Sequence, residues 1–339
     1  MRTLRCSGYC WLWWPPPGSP IEDPAVASRV SPYTERMWNV PSVVPWALAS
    51  AVVLALSATP GARQPAVARS AIVFIGDGVD DHQLTIARNY LLGAGGGFSF
   101  EYFPYRAGAR VLTVLESDPS IPEYVGDSAS GGTAIAAGVV TSRGRIATRA
   151  GNGQAVPTML ELAAAAGKWT GIVTTSSVTD ATPASFVAHI NRRFCQGPDD
   201  MGPTPTDPRC PEALKANGGL GSIAEQIAVS DVDLLLGGGY RHFDQLDESG
   251  VSVVRRARDA GYRLVRDVAG LDAIEGAPGK LIGLFGDDTL PVEWVGEADA
   301  RARPVEFESD GSVIDPQPFR CVDNPAFGSR PTLEAMTEF

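Results

Sequence analysis

Ile223-Ala224-Glu225-Gln226-Ile227-Ala228-Val229 is followed, after Ser230-Asp231, by Val232-Asp233-Leu234-Leu235-Leu236 and then Gly237-Gly238-Gly239. The first run has its isoleucines at helical spacing and reads as a helix. The second is short and apolar and reads as a strand, which the glycines end. The same kind of unit recurs on both sides. Ala71–Ile75 reads as a buried strand running into Gly76-Asp77-Gly78, Gln83–Leu92 as a helix and Val111–Leu115 as a strand. Pro157 opens a helix through Met159, Leu160, Leu162 and Ala166, and Gly167 closes it. Gly171–Thr175 is a strand, Val251–Ala260 a helix, and Tyr262–Val265 and Leu281–Phe285 are strands. Strands alternating with helices predict an α/β fold, a mainly parallel central sheet flanked by helices. In open sheets of this kind ligands bind beyond the carboxyl ends of the strands. Chemistry is therefore expected in the residues that follow each strand.

The 339 residues have 44% hydrophobic content and a formal net charge of −11. That length supports a large core, as one big domain or two smaller ones. The acidic balance argues against nucleic-acid or anionic-membrane binding. It fits an anionic substrate only where cations are held locally, a first hint of metals. Residues 1–68 differ in composition: five of the seven Trp and the Pro15-Pro16-Pro17 run lie there. Val43–Leu56 is almost wholly apolar, short for a membrane span and suited to the core of a signal peptide. Ala66-Val67-Ala68 supplies a cleavage site. A buried helix or a membrane anchor is the other reading of the run. The expectation is a leader over residues 1–68, export to the periplasm or beyond, and no stable membrane span. Met37 is an alternative start. Cys195 and Cys210 flank the Gly/Pro/Asp-rich stretch Gly197–Arg209. A disulfide closing such a loop stabilises by roughly 3 kcal/mol in the chain-entropy model, and exported compartments permit it. Two unrelated thiols are the alternative.

Three stretches carry candidate chemistry. Asp77 sits between two glycines just after the first expected strand. A carboxylate there can ligate a hard or borderline cation, or it is a turn residue capping the next helix. Asp127-Ser128 precedes the small-residue run Ala129–Ala134. A serine at a helix N-terminus meets backbone N–H groups that favour a dianion, and a metal ion could make it a nucleophile. The plainer reading is a helix cap. After Gly171–Thr175 come Asp180 and Thr182, which could face one cation, and Arg193, which could pair with two phosphate oxygens. A surface arginine beside a capped helix is the plainer alternative. His189 reads as a packed helix residue rather than a ligand.

Together these stretches resemble the alkaline phosphatase family, particularly its bacterial members. The resemblance runs from about residue 70 to the last residue. It is carried by Gly76-Asp77-Gly78, Tyr124-Val125-Gly126-Asp127-Ser128-Ala129, Asp180-Ala181-Thr182-Pro183-Ala184, Ala188-His189 through Arg193 and Cys195, and Cys210-Pro211. It continues through Gly221–Gln226, Leu236–Gly239, Leu284-Phe285 and Pro331-Thr332-Leu333. The resemblance implies hydrolysis of phosphate monoesters, with Ser128 attacking phosphorus to form a phosphoserine. It implies Zn2+ and Mg2+ as cofactors, with Asp77 bridging zinc and magnesium, Ser128 on zinc, and Asp180 and Thr182 serving magnesium. Arg193 would bind the phosphoryl oxygens, oriented by Asp127, and Cys195 would pair with Cys210. A homodimer is the assembly it suggests.

The same resemblance sets expectations where the pattern departs. A Glu for magnesium, several Asp and His for zinc, and the partner of Cys321 are expected downstream of the position matching Phe339. Residues 69–339 therefore read as the N-terminal portion of the domain, with its sheet incomplete at the C-terminus and an exposed apolar face. None of the histidines, His82, His189 and His242, matches a zinc ligand. Asp80 stands where the family has Gly, and its carboxylate or β-carbon is expected to disturb Asp77. Competing readings are an inactive gene fragment, a phosphodiesterase or sulfatase of the same superfamily, and an extracellular binding module.

Overall fold

A computed structural model describes residues 69–93, 95–203, 209–299, 306–314 and 320–339. The expected leader over residues 1–68, with its apolar core at 43–56 and the Ala66-Val67-Ala68 site, lies outside the described residues. Among those residues no helix is long and apolar enough to cross a membrane. The described residues divide into two units, one holding residues 77–339 and the other residues 69–76. In the second, residues 71–75 form no strand, and Ile72 and Phe74 are 80% and 82% exposed. This corrects the buried strand expected over Ala71–Ile75. An apolar run becomes a strand only where another strand takes up its N–H and C=O groups, and among the described residues none does.

In the first unit the order is α1 (Asp81–Leu92), β1 (Thr113–Val114), β2 (Pro122–Glu123), α2 (Ser128–Ala137), α3 (Met159–Ala165), β3 (Gly171–Ser177), α4 (Ala181–Ala184), α5 (Ile223–Ala228), β4 (Leu234–Gly238), α6 (Tyr240–Phe243), α7 (Val253–Asp259), β5 (Arg263–Val265), α8 (Val268–Asp272), β6 (Leu281–Leu284) and, near the last residue, α9 (Leu333–Glu338). Strands β3, β4, β6 and β5 lie in that order in one parallel sheet. The register sets Ile172 beside Leu235, Leu235 beside Ile282 and Ile282 beside Leu264. The two central strands, β4 and β6, are buried along their whole length, which is why they read as unbroken apolar runs.

Alternation along β4 and β6 divides the core into two layers. Leu235, Ile282 and Leu284 pack with Ile223 and Ile227 of α5, Phe243 of α6 and Val253 of α7. Leu234, Leu236 and Leu281 pack on the other face with Leu271 of α8 and Met336 of α9. Every residue of α5 is buried, and its N-terminus is closed by a box in which Ser222 accepts from the Glu225 amide and Glu225 accepts from the Ser222 amide.

Two boundaries differ from the sequence reading for a physical reason. β4 runs on through Gly237 and Gly238 instead of ending at Leu236. A β-carbon on Gly238 would lie 1.7 Å from the Asp288 carbonyl oxygen, so the glycine is there for close backbone approach inside the ladder. The Val111–Leu115 strand shrinks to the two residues of β1, paired antiparallel with β2. Cys195 and Cys210 form a disulfide, both fully buried. Cys321 is disulfide-bonded as well.

Candidate active site

The site begins with the entry to α2. Asp127 is the N-cap: its Oδ1 accepts the Ser130 amide at 3.0 Å, and the Ser130 hydroxyl accepts the Asp127 amide at 3.1 Å. The same carboxylate also accepts the Gly144 amide, at 3.2 Å on Oδ1 and 3.1 Å on Oδ2. Burial raises the pKa of Asp127, but the Ser130 and Gly144 amides and Arg193 more than reverse this and hold it below its ordinary value. Asp127 is thus a helix cap, as the plainer reading had it, whose carboxylate also meets Arg193. Ser128 is the first residue of α2 and half-buried. It stands where backbone N–H groups and the helix dipole favour an anion.

Asp77 is the hub. The Ser128 hydroxyl donates to its Oδ1 at 3.1 Å, and the Thr182 hydroxyl donates to its Oδ2 at 2.9 Å. β3 ends at Ser177, and the turn after it delivers Asp180 as the N-cap of α4, accepting the Ala181 amide at 2.8 Å. The same Asp180 oxygen accepts from Arg193 Nη2 at 2.9 Å, while Arg193 Nη1 reaches Asp127 Oδ2 at 3.4 Å. Arg193 is aimed by its backbone as well. Its amide donates to the Gly144 carbonyl at 2.7 Å, and Ile190 pairs with Ile146 just before it. Ser128, Asp77 and Thr182 thus share one set of hydrogen bonds, and Asp127, Arg193 and Asp180 a second, adjoining through the peptide between Asp127 and Ser128.

Helix packing makes the meeting of Ser128 and Thr182 sterically feasible. A β-carbon on Gly132 of α2 would lie 2.8 Å from Ser185 Oγ and 3.4 Å from Thr182 Cα, so α2 and α4 approach only because residue 132 is glycine. Asp80 does not disturb Asp77. It has an extended backbone, and it caps α1 by accepting the Gln83 amide at 2.9 Å. The left-handed turn falls on Gly78 instead, at φ 68°. His189 is packed, as expected, but lies in no helix. Its Nδ1 is 3.0 Å from the Ala147 carbonyl oxygen and its Nε2 is 2.8 Å from Glu161. His242 is buried beside Asp200, and His82 is exposed beside Asp80.

A clamp behind the site had no signal in the sequence. Buried Arg145 gives its Nε to Glu116 at 2.6 Å and its Nη2 to the other oxygen of the same carboxylate, while Nη1 donates to Asn191. It ties the β1–β2 turn to the segment that carries Arg193. Neither Arg145 nor its partner Glu116 lies in a segment with a pattern of its own.

The oxygen donors of Asp77, Asp180 and Thr182 suit a hard cation such as magnesium, which takes oxygen ligands and keeps several waters. Zinc is a different case. A zinc site takes three or four ligands, with imidazole or thiolate commonly among them. The described residues offer Asp77 and Ser128, and no group of three or more His, Cys, Asp or Glu among them is placed to hold a metal. They do not fit zinc by themselves.

A parallel sheet flanked by helices, with Asp180 and Thr182 following one strand and Ser128 opening a helix beside Asp77, makes this an α/β protein. The chain belongs to the alkaline phosphatase family: the family model described as Alkaline phosphatase matches residues 68–339. The streptomycin-6-phosphate phosphatase of Streptomyces griseus is 42% identical over 270 residues, covering 78% of this chain and 58% of that protein. The alkaline phosphatase of Escherichia coli K12 is 37% identical over 279 residues, covering 80% of this chain and 56% of that protein. The alkaline phosphatase H of Pseudomonas aeruginosa is 39% identical over 236 residues, covering 68% of this chain and 48% of that protein. The chain thus spans about half the length of these relatives.

Proposed function

We propose that this chain hydrolyses phosphate monoesters through a phosphoserine on Ser128. The observation that carries the reading is the convergence of the Ser128 hydroxyl, Asp77 and Arg193 at the start of α2. Ser128 Oγ forms the bond to phosphorus, the bond to the leaving alkoxide oxygen breaks, and the proton lost by Ser128 balances the one the alkoxide takes up from water. Water then attacks the phosphoserine, releasing phosphate and restoring the Ser128 hydroxyl. Asp77 accepts from the Ser128 hydroxyl, 3.1 Å from oxygen to oxygen, and so orients Oγ. Arg193 presents its guanidinium to two non-bridging oxygens, and Asp127 and Asp180 hold that fork in place. The α2 N-terminus adds fixed partial positive charge where negative charge grows. Asp77, Asp180 and Thr182 would hold magnesium. When bound, that ion supplies positive charge and lowers the pKa of the oxygens it touches. Zinc, which the resemblance implies, is assigned no step, because the described residues do not fit it.

We place the protein in an exported compartment. The Cys195–Cys210 disulfide supports this, since such bonds persist in oxidising surroundings.

The test is hydrolysis of p-nitrophenyl phosphate at alkaline pH, with magnesium and zinc present, by the chain and by Ser128→Ala. Turnover that falls on the order of 10³-fold or more in the variant supports the reading, as loss of a nucleophile does elsewhere. Equal turnover in both, or none from folded wild-type protein, contradicts it. Bis(p-nitrophenyl) phosphate in the same assay separates a monoesterase from a diesterase.

A further inference from the structure

Beside the Asp127–Arg193 pair lies an open cleft of about 810 Å³, and both residues line it. Five arginines line it as well: Arg143, Arg145, Arg192, Arg193 and Arg209. Such a concentration stands out in a chain whose net charge is −11. Their surroundings differ. Arg145 is buried on Glu116 and Asn191, and Arg193 is held by Asp127 and Asp180. Arg209 reaches the Phe194 carbonyl at 3.4 Å. Arg143 is 54% exposed, and Glu123, the one carboxylate within 4 Å of it among the described residues, stands at 3.9 Å. That is beyond hydrogen-bond range.

The backbone of Arg143 is nonetheless fixed relative to the phosphoryl site. The next residue, Gly144, gives its amide to Asp127 and accepts the amide of Arg193 on its carbonyl. Two arginines therefore hinge on one carboxylate, Arg193 by its side chain and Arg143 through its neighbour's backbone. Two of the acids lining the cleft are already engaged: Glu116 takes the fork of Arg145, and Glu212 accepts from Asn191 Nδ2 at 2.8 Å. From a backbone so anchored, the exposed guanidinium of Arg143 lines the same cleft, and its planar fork can meet two oxygens of a tetrahedral phosphate.

We infer that this cleft is a subsite for a second phosphate group, with Arg143 as its reader. The favoured substrates are then monoesters whose leaving group itself carries a phosphate. The inference rests on the phosphomonoesterase reading of Ser128 and names the substrate class of that site. Glu123 is the counter-charge that Arg143 leaves when such a group arrives.

The experiment compares phosphate release from fructose 1,6-bisphosphate and from fructose 6-phosphate, expressed as the ratio of their kcat/KM values. Wild type is expected to favour the bisphosphate. Arg143→Ala is expected to lower the ratio about tenfold, the scale of one charge-assisted phosphate contact. Arg143→Lys should recover part of it, and Glu123→Gln should raise it. A ratio that Arg143→Ala and Glu123→Gln both leave unchanged overturns the subsite. If wild type hydrolyses neither sugar phosphate, the catalytic reading of Ser128 fails, and calorimetric binding decides the subsite separately. Fructose 1,6-bisphosphate bound more tightly than fructose 6-phosphate, with the difference lost in Arg143→Ala, supports it; equal binding overturns it.

Discussion

Arg193 and Glu116 show how single residues divide the work of this site. Arg193 is four-fifths buried between two carboxylates, so its guanidinium is already oriented before a substrate arrives. Arg193→Ala is expected to lower kcat/KM for p-nitrophenyl phosphate about 10- to 100-fold. Inhibition by inorganic phosphate should weaken alongside. Unchanged phosphate inhibition would remove Arg193 from the phosphoryl site. Glu116 acts at one remove. The hydrogen bonds of Arg145 hold its carboxyl down to about 2, against an ordinary Glu value of about 4.3. A depressed carboxylate stabilises the fold above its unfolded pKa, and that contribution is lost as pH falls through the folded value. Glu116→Gln should therefore lower Tm at neutral pH, and the gap to wild type should close as pH approaches about 2. A gap that stays constant with pH would mean that the pair does not stabilise through charge.

The residue scale is also where the sequence was most legible. Asp77, Asp127, Ser128, Asp180, Thr182 and Arg193 each had a plainer reading as a cap, turn or surface residue, and only their order and spacing together singled them out. Glu116 was silent because its partner is 29 positions away and neither flank has periodicity. His189 was rightly read as packed but was assigned to a helix, because the Asp180–Arg193 segment turns into a loop after α4.

Among the elements, α2 and α4 decide whether the site exists. Gly132 lets the two helices close on each other, and Ser128 meets Thr182 through Asp77 only at that spacing. Gly132→Val should cost about 1–3 kcal/mol in overpacking. Turnover is expected to fall beyond what stability explains, because the helix carrying Ser128 is pushed off the one carrying Thr182. A variant that melts lower yet turns over normally would show that this packing does not set the geometry.

The strand reading succeeded for β3, β4, β5 and β6 because buried central strands must be apolar throughout. It failed at Ala71–Ile75 for a related reason: hydrophobicity says that a segment can be buried, but a strand also needs a neighbour to pair with. Glycine was misread at Gly237 and Gly238. The sequence reading took it as a stop signal, while the structure uses it to bring β4 against the backbone at Asp288.

At the level of the whole molecule, the disulfide braces the segment that follows Arg193. Cys195 lies two positions after Arg193 and its bond to Cys210 closes a 15-residue separation. Replacing both cysteines by Ser should destabilise by about 3 kcal/mol. It should also loosen Arg193, so that KM for p-nitrophenyl phosphate rises along with the fall in Tm. An unchanged KM would confine the bond to stability. The four-stranded sheet is edged, among the described strands, by β3 and β5, and Trp169, just before β3, is 70% exposed.

The central claim is a covalent phosphoserine at the start of α2. The most direct measurement mixes the chain with p-nitrophenyl phosphate, quenches in acid within one turnover, and maps the added phosphoryl group by peptide mass spectrometry. Phosphate on Ser128 in wild type, and on no residue of Ser128→Ala, is the expected result. Steady release of p-nitrophenol with no phosphorylated Ser128, or with phosphate on another residue, would contradict the account.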